Sequence, residues 1–321
     1  MQEIGRRRGG RTRINPGYFF VAPLIIVMIG LLLYPILKAA LMSVQYWYMP
    51  KSGTSGNYFV GFDNFLEVFR DRFFLQSVTT TAIYMGLSIP IRYVLGLATA
   101  MLLNTGFRGR GIARSFIIIP WAVPEVVACL VWILMYELDF GLINHLAMSL
   151  GIIQAPLGWL TDTRLALGSA IAVAVWKGFP FVAIMLLSGL QSIPDELYEA
   201  SSIDGASAWR SFLSITLPSL KPVSIVVFLL LIIWSIKDFG IIYLLARGGP
   251  SRVTEILTVY IYKAGFSSFD FGKASAAGMI MLLFSAIFTV VYLNIVNRGE
   301  RTGRWSSSRG RPRDGYPKRC H

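Results

Sequence analysis

The chain has 321 residues, of which 55% are hydrophobic and only 15% charged, with a mean hydropathy of +0.59. That balance excludes an ordinary soluble domain and marks an integral membrane protein. Cys129 and Cys320 are too few and too far apart for a disulfide framework, and His145 and His321 leave no cluster with metal-ligand spacing.

The net charge of +13 is concentrated at the ends, in RRRGGRTR (6–13) and RGERTGRWSSSRGRPRDGYPKRC (298–320). Both flank hydrophobic segments, so headgroup contact and topology account for them better than nucleic acid does. The apolar run from Tyr18 to Val44 is too long for a signal-peptide core and no small-x-small cleavage pattern follows, so it reads as a retained first span. Six segments are expected to cross the bilayer as helices, at approximately 18–46, 74–103, 112–136, 165–190, 220–245 and 273–297. Prolines at 23, 35, 90, 120, 124 and 180 fall inside them and imply kinks or close packing. This divides the chain into a basic arm at 1–17, a membrane domain at 18–297 and a basic, disordered tail at 298–321.

Among the connections, FDNFLEVFRD (62–71) has the pattern of a short surface helix, while 137–164 and 246–272 read as loops with interfacial aromatics. An even number of spans places both termini on one side with the loops at 104–111 and 191–219. Most of the 30 Lys and Arg residues lie on that side, which assigns both termini to the cytoplasm.

The stretch at 194–218, PDELYEASSIDGASAWRSFLSITLP, is polar between two spans and reads as two short helices around a turn. Pro194 suits a first helical position, Asp195 and Glu196 complement the helix dipole, and Gly205 can adopt the left-handed conformation that ends the helix. Trp209, Phe212 and Leu213 share a face of the second helix, and Pro218 marks its boundary with the next span.

Glu199-Ala200-Ser201, Asp204-Gly205-Ala206 and Ile215-Thr216-Leu217-Pro218 resemble the EAA motif of ABC importer permeases, with Ser201 where the family usually has alanine. The resemblance extends through IIIPWAVPEVVACLVWILMYE (117–137), WKGFPF (176–181), IIYLLARGGP (241–250) and YIYKAGFSSFDFGKASA (260–276), which look like the carbohydrate-uptake branch of maltose and glycerol-phosphate type. It implies an all-α fold of six transmembrane helices with a cytoplasmic coupling hairpin. A second permease subunit, two ABC ATPase subunits and an external binding protein would be partners in a bacterial or archaeal inner membrane. No cofactor would be carried on this chain, ATP and Mg residing on the ATPase. By the same resemblance Glu199, Ala200, Asp204, Gly205, Ala206, Leu217 and Pro218 would couple to the ATPase. Trp176, Lys177, Gly178, Phe181, Trp234, Ser235 and Asp238 would line the substrate pathway.

Ionisable residues inside a bilayer are costly and are functional candidates by default. Arg92, Glu125, Lys177, Lys237 and Asp238 qualify, whereas Lys38 is placed to snorkel. Three roles are open for Lys177 and Asp238: an ion pair with each other, direct sugar contact, or contact of Lys177 with an anionic ligand. Glu125, after Pro124, reads as a helix cap, and Arg92, near Pro90, as structural. There is no G-x-x-x-x-G-K-[ST] loop and no Ser-His-Asp arrangement, so no catalysis is expected on this chain. The expected function is translocation of a sugar or sugar derivative by an ATP-driven importer. The alternatives are a proton- or ion-coupled carrier and a membrane enzyme acting on lipid-linked substrates, which call for inverted repeats or an interfacial charged cluster, neither of which is evident.

Overall fold

Lipid offers backbone groups no hydrogen bonds, so hydrophobic segments must close their own in helices. The computed structural model describes residues 17–50 and 57–307, and most of the basic N-terminal arm and the tail beyond 307 lie outside the described residues. The chain opens with α1 (Gly17–Met28), a π-helical turn (Ile29–Leu33) and α2 (Tyr34–Ser43), which together form the first span. The π turn falls where Pro35 cannot donate to the carbonyl of Leu31. A short antiparallel ribbon follows, β1 (Gln45–Tyr46) against β2 (Tyr58–Phe59), then the surface helix α3 (Asp63–Arg70).

The remaining elements are α4 (Arg72–Asn104), α5 (Arg110–Ala122), α6 (Glu125–Met135), α7 (Leu142–Ser149) and α8 (Ala166–Leu190). They continue with α9 (Asp195–Ile203), α10 (Ala208–Ser211), α11 (Leu217–Ser219), α12 (Lys221–Lys237), α13 (Gly240–Ala246), α14 (Leu257–Tyr262) and α15 (Phe271–Ser307). Among the described residues, four continuous helices are long and apolar enough to cross a membrane, and two bent pairs, each counted as one span, bring the number to six.

The bends correct the expected spans. The segment expected at 112–136 is two helices meeting at 92°, because Val123, restricted by the following Pro124, leaves the helical region. The segment expected at 220–245 ends at Lys237 and resumes as α13 after an extended Asp238. The connections expected as loops contain α7 and α14, and α15 runs ten residues past 297, to Ser307.

The centre of the bundle is the pair α4 and α8. Over half of the apolar window of α8 is buried, against none of the first span, whose side chains are left for lipid or other chains. The two helices approach closely at Gly96, where an added Cβ would stand 2.5 Å from Val182 Cγ1. Two apolar clusters pack along this pair. One gathers Leu103, Leu186, Leu190, Leu220 and Leu231 toward the 194–218 hairpin, and the other Tyr84, Ala170, Cys129 and Ile242 toward the opposite end.

At that opposite end the helices are tied by charge. Lys273 Nζ lies 2.9 Å from Asp71 Oδ2 and 3.4 Å from Glu67 Oε1, and Tyr260 donates to Asp71 Oδ2 at 2.8 Å. Asp71 also caps α4 by accepting from the Phe73 N–H at 2.8 Å. Burial pushes the Asp71 carboxyl up, but the bonds from Lys273, Phe73 and Tyr260 outweigh it and the net shift is downward.

Gly96→Ala is expected to destabilise the helix pair by about 1–3 kcal/mol through overpacking, measurable as a lower thermal unfolding midpoint in detergent. A carboxyl held low in the fold contributes stability above its unfolded pKa and loses it as pH falls through the folded value. The stability difference between wild type and Asp71→Asn is therefore expected to stay constant from about pH 8 to pH 5 and to shrink below about pH 4 in thermal unfolding over that range.

Candidate functional site

The two helix breaks face each other around one cavity of about 390 Å³, within the usual range for small-ligand sites, about 300–1,000 Å³. Each break is held by side chains from the central pair. At the first, Lys177 of α8 donates through Nζ to the carbonyls of Val123 at 2.6 Å and Trp121 at 3.5 Å, groups left without helical partners where α5 ends. At the second, the Asp238 carboxylate accepts from Tyr84 Oη, with Arg92 Nη2 4.0 Å away. Its own carbonyl accepts from Thr258 Oγ1 at 2.5 Å. Arg92 is buried, donating to Ala174 O at 3.1 Å, Ser235 Oγ at 3.5 Å and Tyr84 Oη at 3.2 Å.

Of the expected pathway residues, Lys177, Gly178, Phe181, Trp234 and Asp238 line this cavity. Two do not. Ser235 is fully buried behind Arg92, and Trp176 points to another face of α8, edge-on to Trp132 at 5.5 Å beside an apolar groove. The pairing of Lys177 with Asp238 is not made, because Asp238 belongs to Arg92 and Tyr84 while Lys177 serves carbonyls. Arg92, read as structural, is thus the partner of the buried carboxylate. Glu125, read as a cap, makes no side-chain hydrogen bond among the described residues and lines the cavity with Trp121, Lys237, Phe239 and Gly240. Gly178 is required by Arg92, whose Nε would stand 2.9 Å from an added Cβ. An aromatic run crosses the wall, Trp121 to Phe181 at 6.1 Å and Phe181 to Trp234 at 4.8 Å.

The second feature is the hairpin. Pro194 is the residue before α9, not its first, and Asp195 and Glu196 occupy the first turn. Gly205 turns the chain with φ +71°. The arms are joined by Ser201 Oγ to Ser211 Oγ at 2.8 Å and Tyr198 Oη to Thr216 Oγ1 at 2.9 Å. Serine in place of the usual alanine at 201 thus adds a cross-link. Glu199, Asp204, Leu217 and Pro218 are exposed, as are the apolar Ile203 and Trp209, whereas Ala206 is half-buried. A 65° bend at Leu220 then joins the hairpin to α12.

The family model described as "Binding-protein-dependent transport system inner membrane component" matches residues 92–300. The chain belongs to this family. It is 36% identical over 281 residues to the trehalose/maltose transport system permease protein MalF of Thermococcus litoralis, covering 87% of this chain and 92% of that one. The diacetylchitobiose uptake system permease protein DasB of Streptomyces coelicolor is 33% identical, over 92% of this chain and 90% of the relative. The same fold is found in a chain of a bacterial ABC transporter involved in the import of the acidic polysaccharide alginate, at TM-score 0.76 and 22% identity over 88% and 94% of the two chains. The fold of this permease is that of a type I importer.

Removing one partner of a buried charge pair costs about 3–5 kcal/mol, because the other is left unmatched. Arg92→Met is expected to lower the thermal midpoint of the permease accordingly, and Arg92→Met with Asp238→Leu to recover most of the loss.

Proposed function

We propose that this permease forms the membrane pathway of an ATP-driven importer that takes up a saccharide delivered by an external binding protein. Its partners in this reading are a second permease subunit and two ABC ATPase subunits, the ATPases holding ATP and Mg. The observation that carries it is one of continuity: the exposed hairpin leads directly into α12, and α12 ends at Asp238 in the cavity wall. A displacement applied at Glu199 and Gly205 therefore reaches the substrate path through one helix. The hairpin and both termini face the cytoplasm in this arrangement, in keeping with the crowding of basic residues on that side.

The substrate class follows from the aromatic run of Trp121, Phe181 and Trp234, since sugar C–H faces pack on aromatic rings while hydroxyls need directional partners. Relatives named for trehalose, maltose and diacetylchitobiose support it. Movement at the hairpin would switch the cavity between two access states, as rigid-body gating does in transporters generally.

Glu199→Lys reverses an exposed charge on the hairpin and leaves the spans intact. In proteoliposomes holding the whole complex, uptake and binding-protein-stimulated ATP hydrolysis are both expected to fall by about tenfold or more while the complex still assembles. Uptake that persists without any ATPase would instead identify a secondary carrier.

A further inference from the structure

A second cavity, about 550 Å³ and so larger than the one at the helix breaks, lies at the end of the bundle opposite the hairpin. Its walls come from Tyr48, the start of α4, the turn leading to Glu255 and the π-helical turn after α14 (Lys263–Ser267). Its charges are already matched. Glu255 Oε2 lies 2.5 Å from Lys263 Nζ and its Oε1 3.1 Å from Arg252 Nη1, while Asp71 Oδ2 lies 2.9 Å from Lys273 Nζ. Asp270, the third carboxylate, accepts from the Lys273 backbone N–H at 3.0 Å. Three acids stand beside three bases, so the lining has no net charge and no field that would select an ion.

What is left free is neutral. The hydroxyls of Tyr48 and Ser268 line the cavity and make no hydrogen bond among the described residues. The Phe269 ring also lines it, is 46% exposed and stacks on no other aromatic among those residues. Phe269 is held with φ +56° and Arg252, in the same lining, with φ +65°. A bulky residue takes the left-handed conformation only where its surroundings impose it. Here they are the bonds from Met49 N–H to Phe269 O at 3.0 Å and from Asp270 N–H to Ala264 O at 2.9 Å. The fold accepts that strain and leaves an aromatic ring bare beside unpaired hydroxyls.

A bare ring and free hydroxyls at zero net charge suit a neutral sugar, whose C–H face packs on the ring while its hydroxyls both donate and accept. We propose that this cavity is a second saccharide subsite, separate from the one at the helix breaks. In it Phe269 takes a sugar face, and Tyr48 and Ser268 exchange hydrogen bonds with the sugar hydroxyls. Its role is capture: a saccharide leaving the external binding protein is held at the outer end of the bundle before it enters the path. The proposal rests on the reading that this chain moves a saccharide and that this end faces outward.

Two measurements on the full chain, assembled with its partner subunits, test it. Uptake of trehalose, maltose and diacetylchitobiose by wild-type proteoliposomes with binding protein first fixes the probe. A complex that moves none of the three refutes the saccharide reading, and the subsite with it. In nanodiscs without binding protein, on a Cys129→Ala, Cys320→Ser background, Ser267→Cys then reports on the cavity through its reaction with a cationic methanethiosulfonate. Excess of the transported sugar is expected to slow that reaction about fivefold, and Phe269→Ala to abolish the slowing. Tyr48→Phe, which removes only a hydroxyl, is expected to weaken the slowing about threefold. No slowing in a complex that transports the probe, or equal slowing by the same concentration of glycine betaine, overturns the subsite alone. The second measurement follows sugar taken up per ATP hydrolysed in proteoliposomes with binding protein. Phe269→Ala is expected to lower that ratio about threefold, as released sugar escapes capture, and Phe269→Trp to restore it. An unchanged ratio overturns the proposal. If uptake and stimulated hydrolysis fall together at that ratio, the cavity is a docking surface for the binding protein instead.

Discussion

A carboxylate among apolar helices must be matched, and here the matching of Asp238 by Arg92 and Tyr84 is the interaction on which the rest depends. The fifth span ends as a helix at Lys237, Asp238 is extended, and the cavity opens at this turn. Were the carboxylate not met by α4, the break would leave a charge without a partner in the membrane, although Thr258 would still meet the Asp238 carbonyl. Arg92 in turn dictates Gly178, since its guanidinium lies across α8 where no larger residue fits. Lys177, the next residue along α8 toward the N-terminus, performs the matching task for the first break. One short stretch of α8 therefore serves both breaks.

What the sequence made legible is mostly local. Gly205 at the turn, the acidic first turn of α9 and the bend near Pro218 all depend on neighbours within a few positions, and each lies close to where it was expected. The breaks were harder, because a span keeps the same apolar residues whether its helix runs straight or turns a corner. Pro124 signals a disturbance but not its 92° size, and the carbonyl it frees is met by Lys177 from another helix. The ion pairs were beyond reach for the same reason. Tyr84 and Asp238 lie 154 positions apart, and nothing in the neighbourhood of either residue names the other. Trp176 shows how little separates a pathway residue from a bystander. It adjoins Lys177, but successive helical residues point about 100° apart, and that step carries its ring out of the cavity.

The hairpin differs from the cavity in what holds it. Its cross-links, Ser201 to Ser211 and Tyr198 to Thr216, are hydrogen bonds between its own arms. It is braced as a unit while its outer face stays exposed, with Ile203 85% and Trp209 68% accessible. Exposed large apolar side chains beside an acidic residue are unfavourable in water unless something covers them, and a braced element can pass a push without folding under it.

These bonds also define where the protein yields. The knot at Asp238 joins α12 to α4, and Lys177 joins the end of α5 to α8, so each break moves with one member of the central pair. Between the two breaks there is packing but, among the described residues, no hydrogen bond: Glu125 meets Gly240 across van der Waals contact, and Ile241 and Ile242 share an apolar cluster with Cys129. Apolar contact is non-directional and tolerates sliding, whereas a buried ion pair or a lysine-to-carbonyl bond is costly to separate. A displacement arriving along α12 is therefore expressed at the seam between α6 and α13, the part of the cavity wall that no polar bond holds shut.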